Sequence, residues 1–223
     1  THNHLFQVFA RTKGKDLRFE DWVEGAISPL VDQLDEEACY LAAMIGCLEA
    51  VSSGTTTILD YMYVANRPGL CDGVLRAFDE IGLRGILGRG FNTMKTMPWG
   101  TPSTSYEEIG PALDDLARLQ RIAEPKERLS VALAPAVIWS MSAEGVAAAA
   151  ELLQQGLLVT LHLQENAIDD EYTLKMHGQR AVPYLAEAGL LGPNFLAVHA
   201  VQMPPENMAL FVAHDVAVSH NPA

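Results

Sequence analysis

Short apolar runs alternate with longer amphipathic segments along the chain, and this alternation predicts a mixed α/β protein. Six runs rich in aliphatic and β-branched residues predict strands at 55–60, 84–89, 129–134, 157–163, 195–199 and 216–220. Apolar positions at helical spacing predict helices at 21–32, 35–53, 70–81, 105–123, 143–155, 179–188 and 205–213. The opening segment, 1–7, is predicted to be a seventh strand, in which His2 and His4 share one face because side chains alternate.

Polar residues at the helix starts sharpen some of these boundaries. Asp35 and Ser142 are predicted N-caps, and Ser105 with Glu108 forms a predicted capping box for the helix at 105–123. In the helix at 35–53, an apolar stripe marks the face on which such a helix packs, and it consists of Leu41, Met44, Ile45 and Leu48.

Strands that are apolar on both faces belong in a parallel sheet covered by helices. A doubly wound sheet usually carries a glycine-rich phosphate loop after its first strand, and residues 5–13 contain no glycine. The sequence therefore favours a (β/α)₈ barrel of the TIM type, truncated after about seven β/α units, over a doubly wound sheet. Residues 1–223 form one predicted domain, and we expect the chain to be a portion of a longer enzyme that supplies the eighth strand.

Composition and charge exclude several classes of partner. With 49% hydrophobic and 19% charged residues, the chain fits a globular α/β protein, and the net charge of −13 argues against nucleic acid and anionic membranes. No apolar run is long enough to span a membrane and no signal peptide is evident, so a cytoplasmic location is predicted. Three cysteines without zinc-site spacing are predicted to be buried free thiols: Cys39, Cys47 and Cys71.

Histidines cluster at the ends of the predicted strands, where a barrel places its active site. They end the first, fifth, sixth and seventh predicted strands: His2 and His4, His162, His199 and His220. Such a set predicts a site for one divalent metal, because neutral imidazole suits zinc and iron alike, and zinc is the ion that we favour. Water bound there would be available as hydroxide near neutral pH, and Glu165, three residues after His162, is placed to carry protons. His177, in a predicted loop, and His214, after a helix, are interpreted as solvated surface residues.

Together these motifs resemble the amidohydrolase superfamily, in its chlorohydrolase and deaminase branch. The resemblance lies in the opening His-x-His, in His162-x-x-Glu165, in His199, in Ser219-His220-Asn221-Pro222 and in the segment Ser53–Asp60. It covers the whole chain. It implies hydrolysis of a C–N bond, most simply deamination of an amino-substituted heterocycle such as a purine or pterin.

The resemblance also implies roles for individual residues. His2, His4 and His162 would hold the metal, Glu165 would protonate a ring nitrogen, and His199 would hydrogen-bond or help to deprotonate water. Direct metal ligation by His199 is the lesser alternative. Two further residues would contact a small heterocyclic substrate, namely Gln7 and, at the rim of the pocket, His220.

The sequence departs from the family pattern in two places. The aspartate of the eighth strand and the flanking β-sandwich are absent, so we expect the chain by itself not to be active. A histidine that nucleoside deaminases carry after the fourth strand is replaced here by Ala136, in Ala134-Pro135-Ala136, which favours a more compact or more apolar substrate. Trp99 and Trp139 either stack on a flat ring or belong to the core.

Two other functions compete with deamination. The same site could hydrolyse a halide or another leaving group from a triazine-like ring. Alternatively, the chain could be a metal-binding module that has lost catalytic activity. A homo-oligomer is compatible with the resemblance, although no interface is evident in the sequence.

Overall fold

The computed structural model describes residues 2–221, so Thr1 of the opening motif and Pro222 of the last motif lie outside the described residues, as does Ala223. Six strands form one parallel sheet in chain order: β1 (Thr57–Met62), β2 (Arg84–Arg89), β3 (Leu129–Leu133), β4 (Val159–Leu163), β5 (Phe195–His199) and β6 (Ala217–His220). Each crossover contains a helix, and the strand order does not reverse as it would in a doubly wound sheet. The predicted partial (β/α)₈ barrel is therefore confirmed.

The helices precede and alternate with these strands. They are α1 (Phe19–Trp22), α2 (Ser28–Val31), α3 (Glu36–Ser52), α4 (Leu70–Ile81), α5 (Ile109–Ala123), α6 (Ala143–Gln154), α7 (Ala167–His177), α8 (Ala181–Glu187) and α9 (Pro205–Ala213). A π-helical turn, Val23–Ile27, joins α1 to α2, so the single helix predicted at 21–32 is one interrupted helical run. No helix within residues 2–221 combines the length and apolar character that crossing a bilayer requires.

The opening segment is not the strand that we predicted. Asn3 makes one isolated parallel bridge with Asp60, and the chain then enters a 3₁₀-helix, Leu5–Ala10. The turn is stabilised by the Asp60 carboxylate, which accepts the backbone N–H of Leu5 at 2.7 Å. His2 and His4 flank the bridge residue, and their ring centroids lie 4.6 Å apart.

Helix α3 packs mainly through small side chains, and of the predicted stripe only Met44 packs against the core. Leu41, Ile45 and Leu48 are 47%, 41% and 54% exposed, and the buried face consists of Cys39, Ala42, Ala43 and Cys47. Close approach of α4 explains this face, because a Cβ atom on Gly73 would lie only 2.3 Å from the carbonyl oxygen of Glu36. Only small residues fit between helices at that separation.

The predicted helix starts are partly confirmed. The side chains of Asp35 and Ser142 cap α3 and α6, accepting the N–H groups of Ala38 and Gly145. The predicted capping box is wrong, because α5 begins only after Glu108, which makes no capping bond, and the Ser105 hydroxyl instead contacts Asn92 at 3.3 Å.

Helix α7 was not predicted, because its polar sequence shows no apolar stripe. His177 ends this helix and stacks on Tyr184 with ring centroids 4.4 Å apart. Our interpretation of His177 as a solvated loop residue is therefore wrong, because its ring is half-buried.

The core lies mainly between the sheet and the helices and includes all three cysteines, which are buried and free as predicted. A smaller cluster occupies the concave face of the sheet and consists of Leu59, Tyr61, Ala134 and Val198. Strand alternation produces this division, because Ile58 and Met62 of β1 point to the helices while Leu59 and Tyr61 point inward. The carboxyl ends of the strands above this inner cluster carry the candidate site.

Candidate active site

Four imidazoles converge above the concave face of the sheet. His4 Nε2 lies 3.0 Å from His162 Nε2, although the two residues are 158 positions apart. His2, His162 and His199 each offer a ring nitrogen within 4.8 Å of the others. The folded chain thus brings together the histidines predicted at the ends of three separate segments.

Backbone carbonyls fix how these rings point. His4 Nδ1 donates to the carbonyl of Tyr61 at 2.9 Å, and His162 Nδ1 donates to the carbonyl of Ala136 at 2.5 Å. Because each Nδ1 carries the proton, each Nε2 is left with a free lone pair directed toward the other histidines. Such carbonyl partners orient the histidine ligands of metal sites in the same way. His2 Nδ1 is buried and has no hydrogen-bond partner within residues 2–221.

The cluster favours neutral imidazoles. Burial, followed by the proximity of His4 and His199, lowers the pKa of His2 to about 3. Burial lowers the pKa of His4 to about 4, and burial beside His4 and His2 holds the pKa of His162 well below its usual range. At neutral pH these three rings are therefore unprotonated, which is the form that can ligate a cation.

Glu165 stands beside the histidines with its side chain partly open to the cavity. Its Oε2 atom lies 3.9 Å from Nε2 of His199, and the two side chains are 38% and 13% exposed. Gln164 and His199, at the ends of β4 and β5, both adopt left-handed backbone conformations with φ of 56° and 77°. Such conformations cost free energy in residues other than glycine, and they occur preferentially at functional sites.

A cavity of about 410 Å³ opens above this group. Its polar floor is formed by His2, His4, His162, His199 and Glu165, and its walls are largely apolar. One wall comes from the helical run at 19–31, through Trp22, Ile27 and Val31, and another from Trp139. The loop that follows β2 closes a third side through Asn92, Met97 and residues 102–105.

Comparison with known proteins decides the family. The sequence profile of the amidohydrolase family matches residues 1–223. The chain belongs to the amidohydrolase family. It is 30% identical to a 5'-deoxyadenosine deaminase of Methanothermobacter thermautotrophicus over 225 residues, which cover 100% of this chain and 49% of that protein. It is 31% identical to a 5-methylthioadenosine/S-adenosylhomocysteine deaminase of Nitratidesulfovibrio vulgaris, covering 99% of this chain and 48% of that protein.

Solved structures share the fold. A zinc-bound adenosine deaminase from Xanthomonas campestris superposes with a TM-score of 0.86 at 20% identity, covering 99% of this chain and 48% of the other. An atrazine chlorohydrolase from Arthrobacter aurescens superposes with a TM-score of 0.88 at 18% identity, covering 98% of this chain and 51% of the other. This amidohydrolase chain thus spans about half the length of the relatives that it matches.

Of the remaining predicted residues, Gln7 lines the cavity, whereas His220 and His214 are not among its lining residues. Gln7 lines it and donates from Nε2 to the Tyr63 hydroxyl at 2.9 Å. His220 is exposed and its Nδ1 donates to the carbonyl of His199 at 2.9 Å, while the neighbouring Asn221 contributes to the lining. His214 caps the end of α9, away from the other histidines.

The two tryptophans differ in their relation to the cavity. Trp139 lines it although only 3% of the residue is exposed. Trp99 packs behind Trp139, and the centroids of the two indole rings lie 5.8 Å apart. Trp139 is thus both a core residue and a pocket wall, whereas Trp99 supports it.

Two contributors to this amidohydrolase site were missed in the sequence. Tyr61 contacts His2, His4 and His162 through its ring, and its hydroxyl donates to the carbonyl of Thr160 at 2.8 Å. Asp169 accepts the backbone N–H of Glu165 at 3.0 Å. The Asn166 N-cap, followed by an acid three residues later, was a usable local signal for Asp169, whereas nothing local marks Tyr61.

Proposed function

We propose that the complete protein is a metal-dependent hydrolase that deaminates an amino-substituted heterocycle, and that this chain carries most of its metal site. The observation that carries the proposal is the histidine cluster beside Glu165: His4 Nε2 lies 3.0 Å from His162 Nε2, and ring nitrogens of His2, His162 and His199 lie within 4.8 Å of one another. The deaminase names of the most similar relatives support the same chemistry.

The residues present fit a divalent cation. His4 and His162 have their Nε2 atoms free and their Nδ1 atoms anchored, and the buried Nδ1 of His2 has no partner among residues 2–221. We propose His2, His4 and His162 as ligands of one metal and zinc as its identity, since an all-imidazole set suits zinc and since the similar adenosine deaminase structure holds zinc. Such an ion acts as a Lewis acid that makes water nucleophilic near pH 7.

The chain's own groups then manage protons and orientation. His199, with Nε2 only 3.9 Å from Glu165, would hydrogen-bond the attacking water and help to remove its proton. Glu165 would deliver a proton to the ring nitrogen next to the carbon under attack, so that an amino substituent can depart as ammonia. Gln7 would contact the heterocycle at the cavity wall, and His220 would act at the rim, where it holds the main chain of His199.

Replacing Glu165 tests this proposal directly. In the full-length protein, Glu165→Gln should keep its metal, measured by plasma mass spectrometry, and should lose about 10²- to 10⁴-fold in turnover, because the amide cannot donate a proton to the ring. Glu171→Gln is the matched control, since that exposed acid lies on the following helix and outside the cavity. Retained turnover in Glu165→Gln would contradict the role.

The apolar walls of the cavity favour one alternative function, the hydrolysis of a leaving group from a triazine-like ring. Trp22, Ile27 and Val31 would suit the alkyl groups of a substituted triazine, and Ala136 leaves the cavity without the extra histidine of nucleoside deaminases. Ammonia and chloride release should therefore be measured over a panel of purines, pterins and amino- or chloro-triazines. Ammonia from purines or pterins supports deamination, whereas chloride release alone would favour the leaving-group hydrolase.

A further inference from the structure

We propose that Asp169 is a positioning residue that holds the backbone of Glu165 and the pocket wall at Trp139 through one carboxylate. The inference rests on the proposed role of Glu165. It assigns a function to a buried acid that is not itself among the residues lining the cavity.

The contacts of Asp169 use both of its oxygens. Oδ2 accepts the backbone N–H of Glu165 at 3.0 Å, and Oδ1 accepts the indole N–H of Trp139 at 3.3 Å. Asp169 and Trp139 are only 4% and 3% exposed. An unpaired acceptor or donor would be costly at such a buried position, so each partner constrains the other.

Ordinary helix capping does not account for this arrangement. Asn166 is the N-cap of α7, and its side chain already accepts the N–H of Ile168 at 2.9 Å. In a capping box the acid at the third helical position returns to the N–H of the cap residue itself. Asp169 occupies that helical position but reaches one residue further, to Glu165, and also binds a residue of another loop.

Glu165 needs such support because its own carboxylate is weakly held. Within residues 2–221 it accepts no hydrogen bond from a side chain, and Nε2 of the neighbouring His199 ring lies 3.9 Å away. The preceding residue, Gln164, turns the chain with φ of 56°. The direction of the Glu165 side chain therefore depends on its main chain, and a displacement of about 1 Å at a catalytic group can cost about 100-fold in rate.

Trp139 gives the contact a second consequence. Its ring lines the cavity in which Glu165 acts, and it packs against Trp99 and Tyr172 with centroids 5.8 and 5.7 Å away. A shift of Asp169 would move the wall and the proton carrier together. The two groups should therefore respond as a coupled unit.

The test uses three single variants of the full-length protein and one double variant. Asp169→Asn should lower kcat about 10- to 100-fold with KM within about threefold and metal content unchanged, because one acceptor becomes a donor facing an N–H group. Trp139→Phe keeps an aromatic wall and removes only the indole N–H, so kcat should fall about three- to tenfold. In the double variant, the fold-loss of kcat should be clearly smaller than the product of the two single losses.

A spectroscopic readout separates positioning from general damage. Asp169→Asn should alter the near-ultraviolet circular dichroism of the tryptophans, and this change should vanish in the Trp139→Phe background. Glu171→Gln, an equal loss of charge on the same helix, should leave kcat and the spectrum as in the wild type.

Three outcomes would overturn the inference: kcat within twofold of wild type in Asp169→Asn, unchanged kcat in Trp139→Phe, or strictly multiplicative effects. If Asp169→Asn does not fold, kcat of Trp139→Phe tests the inference: the expected loss supports it and an unchanged kcat contradicts it. Failure of the proposed function is recognised separately, because Glu165→Gln would then retain turnover.

Discussion

Two buried aspartates hold the two chemically important segments of the site. Asp60 accepts the backbone N–H of Leu5, directly after His4, at 2.7 Å, and Asp169 accepts that of Glu165 at 3.0 Å. Burial raises the pKa of each carboxyl to about 7. The same device, a carboxylate that binds the main chain, thus lies next to the histidine pair and next to Glu165, the proton carrier that we propose.

The two carboxylates differ in how fully they are paired. Asp169 also accepts the indole N–H of Trp139, whereas Oδ2 of Asp60 has no partner within residues 2–221. The pKa of Asp60 is raised by burial and lowered only by the bond from Leu5. The pKa of Asp169 is raised by burial and by the nearby acids Glu165 and Asp170, and is lowered by the bonds from the Glu165 N–H and the Trp139 indole. Asp169 therefore connects two elements, and Asp60 anchors one segment at the cost of burying a poorly paired charge.

Removing the Asp60 carboxylate should have the largest effect. Asp60→Ala leaves the Leu5 N–H unpaired and creates a cavity under the opening segment, so the free energy of unfolding should fall by about 3 kcal/mol. Metal affinity should fall about 10- to 100-fold, because His2 and His4 lose their anchor. Urea denaturation and chelator competition in the full-length protein measure the two effects. Asp114→Ala, at an exposed acid, is the control, and equal behaviour of the two variants would contradict the anchoring role.

Neutralising Asp60 should have a smaller, pH-dependent effect. The pKa rises on folding from about 3.9 in an unfolded chain to about 7, so the folded state binds this proton more tightly. The resulting stabilisation is complete below about pH 4 and is lost as the pH rises through 7. Asp60→Asn keeps an acceptor oxygen and cannot ionise. Between pH 4 and 8 its unfolding free energy should therefore decline less steeply than that of the wild type. An identical pH slope for the two proteins, measured by urea denaturation, would show that Asp60 does not titrate in this way.

Strongly patterned segments were predictable from the sequence. The bounds of Leu70–Ile81, Arg84–Arg89, Phe195–His199 and Pro205–Ala213 agree with the prediction, because apolar periodicity and the caps indicate the same ends. The histidines at the strand ends were likewise visible, because the barrel architecture places all strand ends at one rim.

Features set by tertiary contact were not predictable. The packed face of α3 is reversed because its neighbour α4 demands small side chains, and the opening segment bends because Asp60, over fifty residues away, accepts its N–H. The bond between Trp139 and Asp169 joins residues 30 positions apart. No local sequence pattern encodes such a pair. We infer that this pair helps to hold Glu165 in place.

If His2, His4 and His162 hold one divalent metal, as we propose, the metal content of the protein should depend on them. Plasma mass spectrometry of the purified full-length protein should find about one zinc per chain. A variant carrying His4→Ala and His162→Ala should lose it, and one carrying His177→Ala and His214→Ala should keep it, because those two histidines lie outside the cluster. A wild-type protein without a divalent metal, or full metal content after loss of His4 and His162, would contradict this assignment of the metal ligands.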